Sequence, residues 1–253
     1  MHFVIIDVET TGGSVNASKI TELAIYKFDG EKIIDEFVTL VNPEIPIPEF
    51  IVRLTGISDH MVAKAPKFYE IAKKVIEFCD GCVFVAHNVA FDYGMFRSEF
   101  KTLGYDFRFP HLCTVKAARL IIPGHDSYSL GKLTRSLGIS IKGRHRAGGD
   151  ALATAELFQI MHAKDQESLI GLIQTEINPK KIHPNLSIET IDGLPLKTGV
   201  YLFYNEFNKI IYIGKSISIK KRVEQHLNNT KTAKAIKMIQ DIVRIEYEIT
   251  GSD

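Results

Sequence analysis

The sequence predicts an α/β protein, a mixed sheet with helices packed on it, followed by a smaller α+β unit. Three observations predict this. Three strand-like segments open the chain; a short apolar run, Cys82 to Ala86, then sits among segments of helical period. Beyond a stretch of weak pattern, a hairpin signature is followed by a basic helix.

Taken in order, strands are expected near 2–8, 20–28 and 33–41, the second carrying apolar residues at Ile20, Leu23, Ile25 and Phe28. Gly12-Gly13 and Asp29-Gly30 supply turns, so the three form an antiparallel meander. Residues 69–78 space Ile71, Ala72, Val75 and Ile76 as one helix face, whereas 82–86 is the continuous apolar run of a strand buried on both faces. Segments 89–103, 130–137 and 150–162 read as helices. From Ala163 to Gly193 regularity fades, and Asn178-Pro179-Lys180-Lys181 and His183-Pro184-Asn185 break any element. The expected division is a domain at 1–163, a linker at 164–193 with a short helix near 167–176, and a domain at 194–253. In the last, Gly199 to Tyr204 and Lys209 to Gly214 flank the turn Asn205-Glu206-Phe207-Asn208, and a basic helix starts near Ser218.

Composition narrows the class. The 253 residues are 45% hydrophobic and 24% charged, as in globular proteins. No apolar run approaches the roughly 20 residues of a membrane span, and an acidic pair stands where a signal peptide needs its cleavage site. A cytoplasmic location without membrane contact is the expectation. Three cysteines, Cys79, Cys82 and Cys113, make no disulfide framework, and Cys79-Asp80-Gly81-Cys82 lacks a second pair for zinc. The net charge of +1 hides a basic segment: residues 209–244 hold nine lysines and arginines against Glu224 and Asp241. A phosphate-rich partner follows, although Lys231, Lys234 and Lys237 lie at the spacing of a solvated helix face.

Asp7 and Glu9 lie two residues apart at the end of Phe3-Val4-Ile5-Ile6, so a strand presents both carboxylates on one face. Asp92 closes the segment His87-Asn88-Val89-Ala90-Phe91-Asp92, and His145 and Asp150 bracket His145-Arg146-Ala147-Gly148-Gly149-Asp150. Four carboxylates in one pocket repel unless divalent cations separate them. Two Mg2+ or Mn2+ ions about 3.5 to 4 Å apart would hold a phosphodiester, activate water and stabilise the departing 3′ oxygen. His145, on the loop entering the last helix of the first domain, suits the general base, since an imidazole ordinarily titrates near neutrality. Asp92, at a helix start, gains from the macrodipole. Asp-x-Glu alone is commonly a solvated strand end, and the Asp92 segment alone a capped helix start; their combination and order favour chemistry.

Asp7 to Gly12 (DVETTG), His87 to Asp92 (HNVAFD) and His145 to Asp150 (HRAGGD) resemble the three motifs of the DEDDh exonucleases, the group that includes the proofreading epsilon subunit of DNA polymerase III. The resemblance spans about residues 1–163. It implies a ribonuclease-H-like fold and a 3′→5′ exonuclease in which Asp7, Glu9, Asp92 and Asp150 bind two divalent cations and His145 is the base. It also implies contact of Thr10, Thr11 and Gly12 with the terminal nucleotide, and a supporting substrate role for His87. Gly148-Gly149 departs from the usual larger residues, with a looser His145 loop as the expected consequence.

Tyr201 and Tyr212 on adjacent strands, with Arg222 and His226 one helical turn apart, form a second set. A tyrosine can orient or deprotonate a nucleophilic water, and an arginine can neutralise phosphate charge. Residues 194–253 resemble the GIY-YIG endonuclease domain, especially that of UvrC-type repair enzymes, which implies that Tyr201, Tyr212, Arg222 and His226 are catalytic, with Gly214 and Lys215 in the motif around them. A complete domain of this kind holds one Mg2+ on a glutamate of a later helix. The sequence ends at Asp253, and Glu246 and Glu248 fall on a strand before that helix. The expectation is a fragment of a longer protein that does not nick duplex DNA by itself, ahead of a degenerate DNA-holding module.

The combined reading is a metal-dependent 3′→5′ DNA exonuclease in repair or proofreading, acting on DNA 3′ ends, including those of damaged duplexes. A 3′→5′ exoribonuclease and a non-catalytic DNA tether are the alternatives. Gln166-Glu167-Ser168-Leu169-Ile170 faintly resembles the glutamine-led peptides that engage sliding clamps, which would bring a clamp or polymerase as partner.

Overall fold

The computed structural model describes residues 1–175, 177, 181–229 and 232–250. Glu176, the breaker residues Asn178, Pro179 and Lys180, Thr230, Lys231, and Gly251 to Asp253 lie outside the described residues. The chain divides into two compact units, Met1–Gln174 and Thr175–Asp253.

In the first unit the strands are β1 (His2–Thr10), β2 (Ile20–Phe28), β3 (Ile33–Leu40), β4 (Cys82–Ala86) and β5 (His111–Cys113), ordered β3-β2-β1-β4-β5. β1 runs antiparallel to β2 and parallel to β4, so the meander and the buried fourth strand join in one mixed sheet. Helices α1 (Glu49–Thr55), α2 (Asp59–Val62), α3 (Phe68–Cys79) and α4 (Val89–Thr102) precede β5; α5 (Thr114–Ile121), α6 (Leu130–Ser136), α7 (Ala147–Lys164) and α8 (Gln166–Gly171) follow it. The pleat of β1 sorts its side chains between two cores. Val4, Ile6 and Val8 pack with Val75, Phe84, Phe96 and Phe100; Phe3 and Ile5 pack with Leu112, Ala117, Leu157 and Phe158. By the same alternation Asp7 and Glu9 face the α7 side, just beyond Phe3 and Ile5.

The stretch expected as a linker is divided between the units. Leu169, Leu172 and Ile173 join the core beneath α5 and α7, and Gln174 exchanges backbone hydrogen bonds with His111 at 2.8 Å each way. Ile177, Ile182, Leu186 and α9 (Ile188–Asp192) belong to the second core. Apolar residues at wide, irregular spacing give a weak periodic signal, yet each buries a side chain. The short helix ends at Gly171, before Glu176. Within the glutamine-led segment Leu169 is fully buried in this core and Ile170 is half-buried.

The second unit has β6 (Gly199–Tyr204), β7 (Ile210–Ser216) and β8 (Arg244–Ile249) in the order β7-β6-β8, all antiparallel, with α10 (Ile219–Leu227) and α11 (Ala233–Asp241). The hairpin turn is closed by Asn205, whose Oδ1 accepts from the N–H groups of Phe207 and Lys209, while Asn208 takes the left-handed conformation at φ 57°. Tyr201, Phe203, Ile219, Val223, Leu227 and Ile239 make the core. Cys79 and Cys82 are buried, and burial pushes the Cys79 thiol well up, as befits inert core residues. Among the described residues no helix is long and apolar enough to cross a membrane.

Candidate active site

Three of the four expected acids converge. Asp7 and Glu9 from β1 and Asp150 from the first turn of α7 each place a carboxylate oxygen within 4.8 Å of the other two. Asp92 reaches the same region from the opposite layer. β4 ends at Ala86, and beyond that end the Val8 N–H of β1 donates to Asp92 Oδ1 at 3.3 Å. One Asp92 oxygen therefore anchors the central strand, and Asp92 lies at the border of the three-acid group.

Burial raises all four carboxyls, and their mutual repulsion adds to it for Asp7, Glu9 and Asp92. Asp7 is held well above its ordinary range by burial first, then by Asp92, Asp150, Glu9 and Glu22. Glu9 is raised to about 7 by burial, then Asp150 and Glu22, against the pull of Arg146. Asp92 is raised to about 8 by burial, opposed by its own and the Val8 N–H groups. Asp150 is raised by burial, opposed by the His145 backbone bond and by the charges of His145 and Arg144. The Asp150 Oδ1 atom is buried without a hydrogen-bond partner. An orphaned oxygen beside two others and a cluster that resists ionisation are what a divalent-cation site looks like when read from its donors alone.

His145 sits on the tight turn before α7 with φ 60°, a left-handed backbone uncommon outside glycine and asparagine. Its N–H donates to Asp150 Oδ2 at 3.2 Å, so the turn and the acid are fixed to each other. Gly149 explains how the preceding loop is seated: a Cβ there would stand 2.0 Å from the Lys142 carbonyl oxygen and 2.6 Å from that of Gly143. The missing side chain lets that backbone lie directly on the first turn of α7. Gly149 thus seats the loop closely, where looseness was expected.

The substrate-side residues are occupied differently from expectation. Thr10 Oγ1 donates to the Gly12 carbonyl at 2.6 Å, and Thr11 Oγ1 accepts from the Lys19 N–H at 3.0 Å. Both threonines are buried, so their hydroxyls shape the turn at the end of β1. His87 lies with Nε2 2.9 Å from the Tyr128 carbonyl and Nδ1 2.9 Å from Thr114 Oγ1. A carbonyl can only accept, so Nε2 carries a proton and Nδ1 takes the hydroxyl's. Burial lowers the imidazole's pKa, consistent with that neutral form. With both ring nitrogens engaged inside the protein, His87 braces the start of α5 and the 128 loop, so any supporting part in substrate binding would act through those elements.

Two residues escaped the sequence reading. Glu22 of β2 is 4% exposed and stands opposite Glu9 in the strand register. Arg146 binds it through Nε at 3.0 and 3.2 Å and Nη2 at 2.5 Å. The available signal was a lone carboxylate between Ile20-Thr21 and Leu23-Ala24-Ile25, in a strand buried on both faces.

In the second unit the four expected residues gather on the helix-covered face of the sheet. Register puts Tyr201 opposite Gly214 and Phe203 opposite Tyr212. Tyr201 Oη lies 2.9 Å from His226 Nε2, and the Tyr212 ring centroid is 4.7 Å from that of His226. A Cβ on Gly214 would come 2.3 Å from the Tyr201 hydroxyl, so only glycine lets this tyrosine lie across β7. Burial and Tyr212 push the Tyr201 hydroxyl up to about 12, while hydrogen bonding and charge from Arg222 pull it down. Burial and Arg222 lower His226. Glu246 and Glu248 pair with Leu202 and Val200, on the opposite face from Tyr201, and Glu246 is bound by Tyr204 and Arg244.

A family model described as exonuclease matches residues 4–158, and one described as a UvrC-like GIY-YIG domain matches residues 197–253. A Mycobacterium tuberculosis protein described as a bifunctional exonuclease/endonuclease is 33% identical over 247 residues, 92% of this chain and 38% of that protein. The DNA polymerase III epsilon subunit of Aquifex aeolicus is 40% identical over 157 residues, 62% of this chain and 78% of the subunit. Among solved structures, exonuclease X in complex with 5′ overhanging duplex DNA aligns at TM-score 0.56 and 26% identity, covering 67% of this chain and 96% of that one. The chain spans 12 to 38% of the length of five of its relatives, the mycobacterial protein among them. With a mixed sheet flanked by helices and an acidic edge on its central strand, the chain belongs to the exonuclease family of DEDDh type and carries a UvrC-like GIY-YIG domain behind it.

Proposed function

We propose that the chain is a divalent-cation-dependent 3′→5′ exonuclease that shortens DNA from its 3′ end in repair or replication. The observation that carries this reading is the meeting of Asp7, Glu9 and Asp150 oxygens within 4.8 Å beside Asp92 and the His145 turn. The names of relatives support the direction and the sugar: an epsilon subunit of DNA polymerase III, and proteins called 3′-5′ exonuclease DinG.

Asp7, Glu9, Asp92 and Asp150 would hold the cations, which when bound supply charge neutralisation at the phosphate and a more acidic attacking water. The chain's own part is positional. The β1 edge fixes where the scissile phosphate rests, the Thr10 to Gly12 turn bounds the terminal nucleotide, and His145 receives the water's proton on a ring nitrogen. The water oxygen bonds to phosphorus, the bond from phosphorus to the 3′ oxygen breaks, and a nucleoside 5′-monophosphate leaves. The remaining strand keeps a 3′ hydroxyl, protonated from solvent.

The test is an oligonucleotide labelled at the 3′ or the 5′ end, DNA beside RNA, with Mg2+ or EDTA. Immediate release of 3′ label as mononucleotide and a shrinking 5′-labelled ladder, in Mg2+ only and on DNA, is the expected result. Release of the 5′ label first, activity in EDTA, or degradation of RNA alone contradicts it. The loop seat predicts that Gly149→Ala lowers kcat on the order of 10²-fold by displacing His145. Gly148→Ala, whose Cβ would meet nothing closer than 3.6 Å, should stay near the wild-type rate in the same assay.

We infer that the second unit is a partial GIY-YIG domain that does not nick duplex DNA by itself, since Glu246 and Glu248 lie on the sheet face opposite Tyr201. Supercoiled DNA incubated with Mg2+ and the Asp7→Asn variant should remain unnicked. Site-specific nicking that disappears on Arg222→Ala would overturn that reading.

A further inference from the structure

We propose that Glu22 is a positioning residue for the exonuclease reaction: its carboxylate, buried in β2, holds the His145 turn and Asp150 in register with the Asp7 and Glu9 edge. The inference rests on the function proposed above and adds a residue to it.

Both Glu22 oxygens accept hydrogen bonds. Oε1 accepts from Arg146 Nη2 at 2.5 Å; Oε2 accepts from Arg146 Nε at 3.0 Å and from the Ala147 backbone N–H at 2.8 Å. These bonds all run to Arg146 and Ala147, and Glu22 lies outside the group of Asp7, Glu9 and Asp150 whose oxygens come within 4.8 Å of one another. Its partners are the two residues that follow His145, and Ala147 opens α7, where the helix dipole favours a carboxylate. Glu22 is also the cross-strand neighbour of Glu9. One side chain on β2 is thereby tied to the turn carrying the base, three residues ahead of Asp150, while its own backbone is locked to the strand carrying Asp7 and Glu9.

Stability alone gives little reason for such a pair. With Glu22 buried and the Arg146 side chain 40% exposed, the pair returns little net stability, whereas its bidentate geometry fixes distance and orientation. The His145 turn needs that fixing: its backbone is left-handed at φ 60°, and the Lys142-Gly143 backbone before it rests directly on Gly149. Glu22 and Arg146 hold one end, the glycine seat the other, and the His145 N–H bond to Asp150 spans the middle.

The experiment compares wild type with Glu22→Ala, Glu22→Gln, Arg146→Ala and the Glu22→Ala/Arg146→Ala pair, as full-length chain in saturating Mg2+. Glu22→Ala should lower kcat on the order of 10²-fold and Glu22→Gln about tenfold, with KM within about threefold of wild type. Arg146→Ala added to Glu22→Ala should cost no more than about a further twofold, because the two act as one unit. Amide hydrogen exchange at residues 145–150 should quicken in Glu22→Gln while β1 and β4 stay protected. Rates per folded molecule within about twofold of wild type in both Glu22 variants, independent multiplication of the two alanine effects, or unchanged exchange at 145–150 would overturn the proposal. If Glu22→Ala does not fold, Glu22→Gln decides. Should the wild type itself release no nucleotide with any cation, the functional reading fails, and the exchange measurement still judges Glu22.

Discussion

Asparagine in place of Asp7 is expected to abolish nucleotide release, by on the order of 10³-fold or more, and yet to raise the melting temperature of the metal-free protein. Asp7 lies at the most crowded point of the cluster, where burial and the charges of Asp92, Asp150, Glu9 and Glu22 all oppose its ionisation. In the unfolded chain the same carboxyl ionises freely, so at neutral pH folding must return a proton to it or bury an unpaired charge. Asparagine keeps the shape and removes that cost. The gain in stability should be larger at pH 8 than at pH 6, since the cost grows as pH rises above the unfolded pKa of about 4. Thermal unfolding in EDTA and single-turnover release in Mg2+ measure the two effects on one preparation. A variant less stable than wild type in EDTA, or one that releases nucleotide at the wild-type rate, would show that Asp7 is a structural strand residue.

The second large effect is a coupling of pH, metal and stability. Glu9 at about 7 and Asp92 at about 8 have folded values far above their unfolded ones, and Asp7 and Asp150 move the same way. Across the window from about pH 4 to about pH 8 the folded state therefore binds more protons than the unfolded state. Stability of the metal-free protein must fall as pH rises through that window. Divalent cations replace those protons, so affinity for Mg2+ should climb with pH and level off above about pH 8. Melting temperatures measured in EDTA and in Mg2+ should diverge as pH increases. A metal-free melting temperature that rises between about pH 5 and about pH 8 would contradict the cluster's electrostatics.

The acids of the site were legible because strand periodicity is a strong local rule. Two carboxylates two residues apart at the end of an apolar run can only share a face, and the pleat of β1 put them on the α7 side. Asp150 was legible from its place at the start of a helix, and Tyr201, Tyr212 and His226 from the hairpin and the helix after it. What stayed hidden depends on contacts between distant segments. Glu22 lies 124 residues from Arg146, and its place inside the apolar β2 run signals a buried carboxylate without naming its partner. The partners of His87, Thr114 and Tyr128, lie 27 and 41 residues away and could not be read from its own motif. Gly149 looked like slack because the backbone that fills its missing side chain comes from a loop whose course periodicity does not describe. The linker failed for a related reason: Leu169, Ile177, Ile182 and Leu186 bury their side chains one at a time, without the period by which a helix or strand announces itself. Helices α1, α2 and α5 and the three-residue β5 were too short for their pattern to stand out.

Titration of the full-length chain with Mn2+ near pH 8, followed by calorimetry in two buffers of different ionisation enthalpy, tests most directly that these acids hold divalent cations. The account predicts two bound ions per chain, release of protons on binding, and loss of tight binding in Asp7→Asn. Binding by wild type that is no stronger than binding by Asp7→Asn, with no proton released, would contradict it.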